Sequence, residues 1–317
     1  MVNGNSVNVQ FGTETTFGTA ATPTVRDEVT SESFSYTPNK SAEGLLTGGI
    51  GGGKVETMAI EAGGTLATLA KPTNTGYYLK HAFGVEDVEQ VGESDKYTHT
   101  FTPVGNGEND FLPAVTFVID RKAACLAYTG QTATRISFSA APGDRLTIET
   151  EYVGYNEATG TIQMLTAVSK SEGSFKFHQA GVYMDDTKVA DVTNIQFEYN
   201  NNCDNSVQTT DTGLYHKRPQ PGTRECTATL EAVYTSTIEA VRTGKFKTDA
   251  VVELVVEFED ADGNSLTFTL PEAQITEMAN PTATGAETLS QSMTVTAIDN
   301  ATAFAEVVLV NEKSTEY

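Results

Sequence analysis

The chain has 317 residues, 38% of them apolar, with a mean hydropathy of −0.27. That is the balance of a soluble globular protein with room for two domains of about 100–200 residues each. Its 42 acids against 20 bases give a formal charge of −22, which repels a phosphate backbone and excludes a grip on nucleic acid through counterion release.

No run approaches the ~18 apolar residues of a membrane span. Met1–Val7 lacks the basic flank and apolar stretch of a secretory signal, so the chain is expected to fold in a cytoplasm. Met1–Asp27 is Thr- and Gly-rich without a sustained period and reads as an N-terminal arm, residues 1–27. Beyond it, alternation at period two in segments rich in Thr, Val, Phe and Tyr predicts strands. In residues 28–165 these are Glu56–Ala62, with Met58 and Ile60 on one face, then Ala114–Asp120, Arg135–Ala140 and Arg145–Tyr152. Thr75–Phe83 places Tyr78, Leu79 and Ala82 at helical spacing and stops at Gly84, a residue suited to a left-handed helix end.

Residues 166–301 repeat this order. Strands are predicted at Asn194–Asn200, Glu225–Tyr234, Ala250–Asp260, Ser265–Leu270 and Ser290–Ile298, and a short helix at Ser236–Arg242 ending by Gly244. Turn signals separate the strands at Ala141–Asp144, Asp262–Asn264 and Asn280–Pro281. A polar loop, Asn200–Pro221, precedes the strand at Glu225, and a tail, residues 302–317, carries one apolar strand at Ala305–Val310. The two halves match in detail. Gly52 to Ala62 aligns without a gap against Gly222 to Ala232, pairing Thr57 with Thr227, Ile60 with Leu230 and Glu61 with Glu231. Upstream, Phe34, Tyr36 and Asn39 fall in step with Phe197, Tyr199 and Asn202. A repeat this long exceeds the roughly 20–50 residues of a solenoid unit and reads as a duplicated domain. On this alignment Met58 and Ile60 occupy the same core positions as Ala228 and Leu230.

The motifs that suggest chemistry have plainer readings. Gly48–Lys54 fits the start of a phosphate-binding loop, but Val55 stands where a Ser or Thr must bind magnesium, and a strand follows instead of a helix. Asp260–Asn264 resembles the start of a calcium loop yet reads better as a hairpin turn around Asp262-Gly263. His81, His99, His178 and His216 show no zinc spacing, and no nucleophile motif is present. The three cysteines lack a CxxC and read as free thiols, Cys203 and Cys226 being the one credible pair. No catalytic, cofactor or metal site is expected, and no enzyme.

Three stretches, in order, carry a likeness: Glu14–Thr19 with Pro23; Ala127–Gly130 leading to Thr134–Asp144 and Leu146–Glu151; and Pro219–Arg224, followed by Ser265–Pro271 and Met293–Ile298. In these the chain resembles a tail tube protein of long-tailed bacteriophages, of the type with two tube domains in one chain. The resemblance implies a mainly β fold of two tandem β-sandwich or partly closed barrel domains, each with one short flanking helix. It also implies a structural role in the virion tail: trimeric rings of pseudo-sixfold symmetry, stacked into a hollow tube with an acidic lumen. DNA would pass through without specific binding. Expected partners are other copies of the chain, a tape-measure protein, and tail terminator and tip proteins, with assembly in the host cytoplasm. Gly48–Gly53, Asn200–Pro221 and the N-terminal arm are expected to bridge rings. The competing reading is a tandem β-sandwich adhesion or virion-decoration protein that binds a host surface ligand.

Overall fold

The computed structural model describes residues 3–44, 53–105, 107–108, 110–281, 288–299 and 304–317. In chain order the first half contains β1 (Asn8–Thr13), β2 (Val25–Asp27), β3 (Val29–Glu32), β4 (Ser35–Ala42) and β5 (Val55–Leu69). Helix α1 (Asn74–Phe83) follows, then β6 (Gly84–Gln90), β7 (Tyr97–Pro103), β8 (Val115–Asp120), β9 (Cys125–Ala140), β10 (Thr147–Gly154) and β11 (Asn156–Thr159). The second half contains β12 (Ala180–Met184), β13 (Thr187–Lys188), β14 (Val192–Asn200) and β15 (Glu225–Val233). It continues with α2 (Ser236–Gly244), β16 (Val251–Glu259), β17 (Ser265–Met278), β18 (Ser290–Ala297) and β19 (Glu306–Asn311).

Every strand pairing is antiparallel, and the pairings repeat. In the first half one layer runs β2, β1, β8, the N-terminal part of β9, and β11. The other runs β3 and β4, β5, β10, and the C-terminal part of β9. The second half lays out β13, β12, β16, the N-terminal part of β17, and β19. Its other layer is β14, β15, β18, and the C-terminal part of β17. In both halves one long strand, β9 or β17, crosses from layer to layer, so each half is a sandwich closed along one side.

The two halves join edge to edge. Arg135–Ala140 of β9 pairs with Ile195–Asn200 of β14, which fuses the second layers into one sheet ordered β4, β5, β10, β9, β14, β15, β18, β17. Side chains seal the seam from behind. Phe138 meets Phe268 at 4.7 Å and Phe268 meets Phe197 at 4.5 Å, while Tyr199 stacks on Phe83 at the end of α1 at 4.3 Å. A single buried core runs through both halves.

The structure moves the register of the repeat. Phe34 and Phe197 do correspond, and both are buried. The block at Gly52–Ala62, however, does not correspond to Gly222–Ala232. Ile195 pairs with Leu230 and β3 residue Glu32 pairs with Leu66, so Leu66, not Ile60, is the counterpart of Leu230. Both leucines are fully buried, whereas Met58 is 56% exposed. The alignment is slipped by six residues (66 − 60). The true register brings a matched irregularity into view. Thr134 is the extra residue of a bulge between β9 and β10, and Thr276 is the extra residue of a bulge between β17 and β18. Each donates its hydroxyl across the bulge, Thr134 to the Glu151 carbonyl (3.2 Å) and Thr276 to the Thr294 carbonyl (3.3 Å). A shared bulge with a shared side-chain bond is a specific feature, since bulges are placed and not random.

The helices sit where periodicity puts them. α1 buries Tyr78, Leu79, Ala82 and Phe83 and closes on Gly84, whose φ of +89° is the left-handed region that glycine enters freely. α2 is capped by the Thr235 hydroxyl on the Ile238 amide. It ends at Gly244 as the sequence predicts, but that glycine is not left-handed; the left-handed residue is Asp249, after a 3-10 turn at Phe246–Thr248. The N-terminal segment is more ordered than its sequence suggests, with Val9, Gln10 and Phe11 buried in β1. The tail strand β19 pairs with β17 on one side and with β7 on the other, so it ties the halves together.

Candidate functional surface

The fused sheet has one face on the core and one face open. Along β14, Ile195, Phe197 and Tyr199 point inward, and Asn194, Gln196, Glu198 and Asn200 point out. β15 repeats this with Cys226, Ala228, Leu230 and Ala232 inward and Glu225, Thr227, Thr229 and Glu231 outward. Alternation at period two produces such a two-sided sheet. The open face is a carpet of Thr, Ser and Gln studded with carboxylates: Glu61, Glu149, Glu151, Glu198, Glu225, Glu231 and Glu277.

Strands β5, β9, β10, β14, β15, β17 and β18 contain a single base, Arg135. It lies at the seam between the halves, where its guanidinium reaches Glu198 of β14 (3.1 Å) and Glu149 and Glu151 of β10 (3.2 and 3.3 Å). Partial burial lowers the tendency of Arg135 to hold its proton, but Glu198 and Glu151 outweigh it and raise the pKa above the ordinary arginine value. One cation shared by three carboxylates leaves the patch negative. The face can therefore repel an approaching polyanion, and it offers no cradle that would hold one.

Several polar groups elsewhere are enclosed and hydrogen-bonded, although among the described residues the buried ring nitrogens of His216 both lack a hydrogen-bond partner. Burial drives His81 down to about 3, so it stays neutral beside the Tyr152 hydroxyl at 3.0 Å. His99 is buried with Nδ1 on Glu86 (2.8 Å) and Nε2 on the Lys313 carbonyl (2.8 Å). Asp27 is pushed up by burial, against the Tyr78 hydroxyl that donates to it at 2.7 Å. Asp260 uses its carboxylate on the amides of Asp262 and Asn264 (both 2.9 Å), with Gly263 at φ +75° closing the hairpin. That geometry is a turn. The Gly48–Lys54 motif falls outside the described residues except for Gly53 and Lys54, which lead into β5. Cys125, Cys203 and Cys226 are all free thiols, and burial raises Cys203 to about 12, which keeps it unreactive.

Two stretches distant in sequence meet at one carboxylate. Glu14 accepts from the Thr116 hydroxyl (2.7 Å) and the Gly130 amide (2.7 Å) with one oxygen, and from the Gly18 amide (2.8 Å) with the other. Gly130 has φ +66°, and a Cβ there would strike Tyr155 and Phe17. The Glu14–Thr19 loop and the Ala127–Gly130 strand are thus stapled together by the buried Glu14 carboxylate. A family model described as "Phage tail tube protein" matches residues 4–297. The chain belongs to the phage tail tube protein family. No curated protein matches it. As a tail tube protein it is a structural component of the virion tail, and among the described residues no helix is long and apolar enough to cross a membrane. The tail tube face around Arg135 escaped sequence reading because its carboxylates look like any solvated strand edge. The readable signal was the isolation of one arginine among seven strands otherwise free of bases, the outermost strand β4 alone adding Lys40.

Proposed function

We propose that this tail tube subunit assembles as trimeric rings of pseudo-sixfold symmetry, which stack into a hollow tube whose lumen is the open acidic face. Each chain supplies two wall units, residues 28–165 with the arm 1–27, and residues 166–301 with the tail 302–317. DNA slides past during ejection because the wall presents carboxylates and hydroxyls and no array of cations to hold phosphates. The observation that carries this reading is the fused sheet, with four strands from each half, one apolar face and one acidic face. Two copies of one unit already sit side by side as neighbours in such a wall would. Closed rings from repeated heterologous contacts, stacked along an open axis, form a filament. Negative-stain microscopy of the purified chain tests it. Rings or tubes with a central hole and threefold class averages are the expected result. Monodisperse monomers at high concentration would overturn it.

A further inference from the structure

The internal seam specifies how its two outer edges should meet. At the seam, Asn201 donates its amide to the Thr134 carbonyl (2.7 Å). This makes Arg135 and Asn200 a non-hydrogen-bonded pair and leaves Ile136 and Tyr199 to exchange both backbone bonds. The repeat register supplies the counterparts: Ile136 corresponds to Met278 through the matched bulges, and Tyr199 to Tyr36 through the matched Phe34 and Phe197. Among the described residues, both counterparts lie on edges with no strand on their outer side. Ser33 donates its amide to the Thr65 carbonyl (3.0 Å), so Ser33, Ser35 and Thr37 turn their backbone groups toward β5 and Tyr36 turns its groups outward. Ile298 donates to the Glu272 carbonyl (2.8 Å), a phase that, carried across the Thr276 bulge, turns Glu277 toward β18 and Met278 outward.

Exposure points the same way. Tyr199 is fully buried at the internal seam, whereas Tyr36 is 37% exposed, one of the few large apolar side chains left in the open. An outward-facing strand edge beside an exposed aromatic is a surface awaiting a partner. We propose that β4 of one copy pairs antiparallel with the end of β17 of a second copy, Tyr36 opposite Met278 and Thr37 opposite Glu277. The partner is another copy of this chain because the chain itself contains the completed version of the same contact. The contact between copies is shorter than the internal one. Pro38 replaces Asn201 and has no amide to donate, and Phe34 has its carbonyl taken by Arg121 (2.8 Å) and Tyr128 (3.2 Å). Glu277 stands where Arg135 stands, so the three-carboxylate clasp is absent there. The lateral contact between copies is the weak joint of the wall.

This inference rests on the ring reading and is tested separately from it. Thr37 and Glu277 are exposed and, by analogy with Asn200 and Arg135, form a non-hydrogen-bonded pair, whose Cα atoms approach to about 4.5 Å. Cysteines there fall within disulfide reach, whereas a diagonal pair at roughly 7–8 Å does not. The Thr37→Cys/Glu277→Cys chain, assembled and oxidised, should gain covalent multimers that the slipped Ser35→Cys/Glu277→Cys chain lacks. In the unmodified protein, the Tyr36 and Met278 amides should lose hydrogen exchange on assembly. Rings or tubes that form without that cross-link and without that protection overturn the seam and leave the ring reading standing. Absence of any assembly, in both variants and the unmodified chain, sinks both.

Discussion

Glu86 shows how one residue can link distant parts of the chain. Burial would raise its carboxyl, but His99, the Tyr317 amide (3.0 Å) and Lys80 more than compensate and hold it below the usual carboxylate range. A depressed acid adds stability that is present above its unfolded value of 4.5 and is lost as pH falls through the folded value. Glu86→Gln should therefore cost about 2 kcal/mol at neutral pH, with the difference from the parent shrinking below pH 4.5; urea titrations across pH measure this. Arg135 answers a different question. Its side chain is 30% exposed and its partners more so, which limits the clasp to about 1 kcal/mol. Arg135→Gln should lower stability by that amount in low salt, and 1 M salt should erase much of the deficit, because exposed charges are screened.

Strands and helices were largely legible. Alternation located β8, β10, β14, β16 and β18 to within two residues at either end, and helical spacing with a glycine stop located α1. The repeat was legible as a fact and misread in register, for a physical reason. A period-two pattern is unchanged by an even shift, so a slip of six keeps Ile60 and Ala62 inward and fails at Met58, where the pairing of β4 with β5 shifts register. Only features without that periodicity, the helices and the bulges, can fix the register. The fused sheet was not legible, because pairing between β9 and β14 is a choice of partner that neither strand's own pattern encodes. The bulge threonines bear on this scale too. Thr276→Val keeps the shape and removes the bond to the Thr294 carbonyl, and should cost about 1 kcal/mol. Val is no worse a strand former than Thr, so a neutral or stabilising result in thermal unfolding would show that the bulge is set by packing alone.

The whole molecule is bound together across its halves at two levels. The seam joins them through backbone, and the tail joins them again: β19 bridges β17 and β7, and Tyr317 packs its ring against Tyr77 (4.8 Å) and His99 (5.0 Å). With one continuous core beneath, calorimetry should give a single unfolding transition, not one per half. Tyr317→Ala should lower stability by about 2–3 kcal/mol, since the ring is partly exposed and falls at or below the range for buried aromatics. Two resolved endotherms in the parent protein would mean that seam and tail are too weak to couple the halves.

The seam between β9 and β14 also bears on kinetics. Its partners are tethered, so they meet at an effective concentration set by the chain and not by the solution. Half of the lateral contacts in a ring would form as part of folding, before any two molecules collide. In the proposed ring only the remaining joints would wait on encounter, and a nucleus would need half as many molecules as one built from single units. Its formation rate should fall off less steeply on dilution, an advantage early in production, when subunits are scarce.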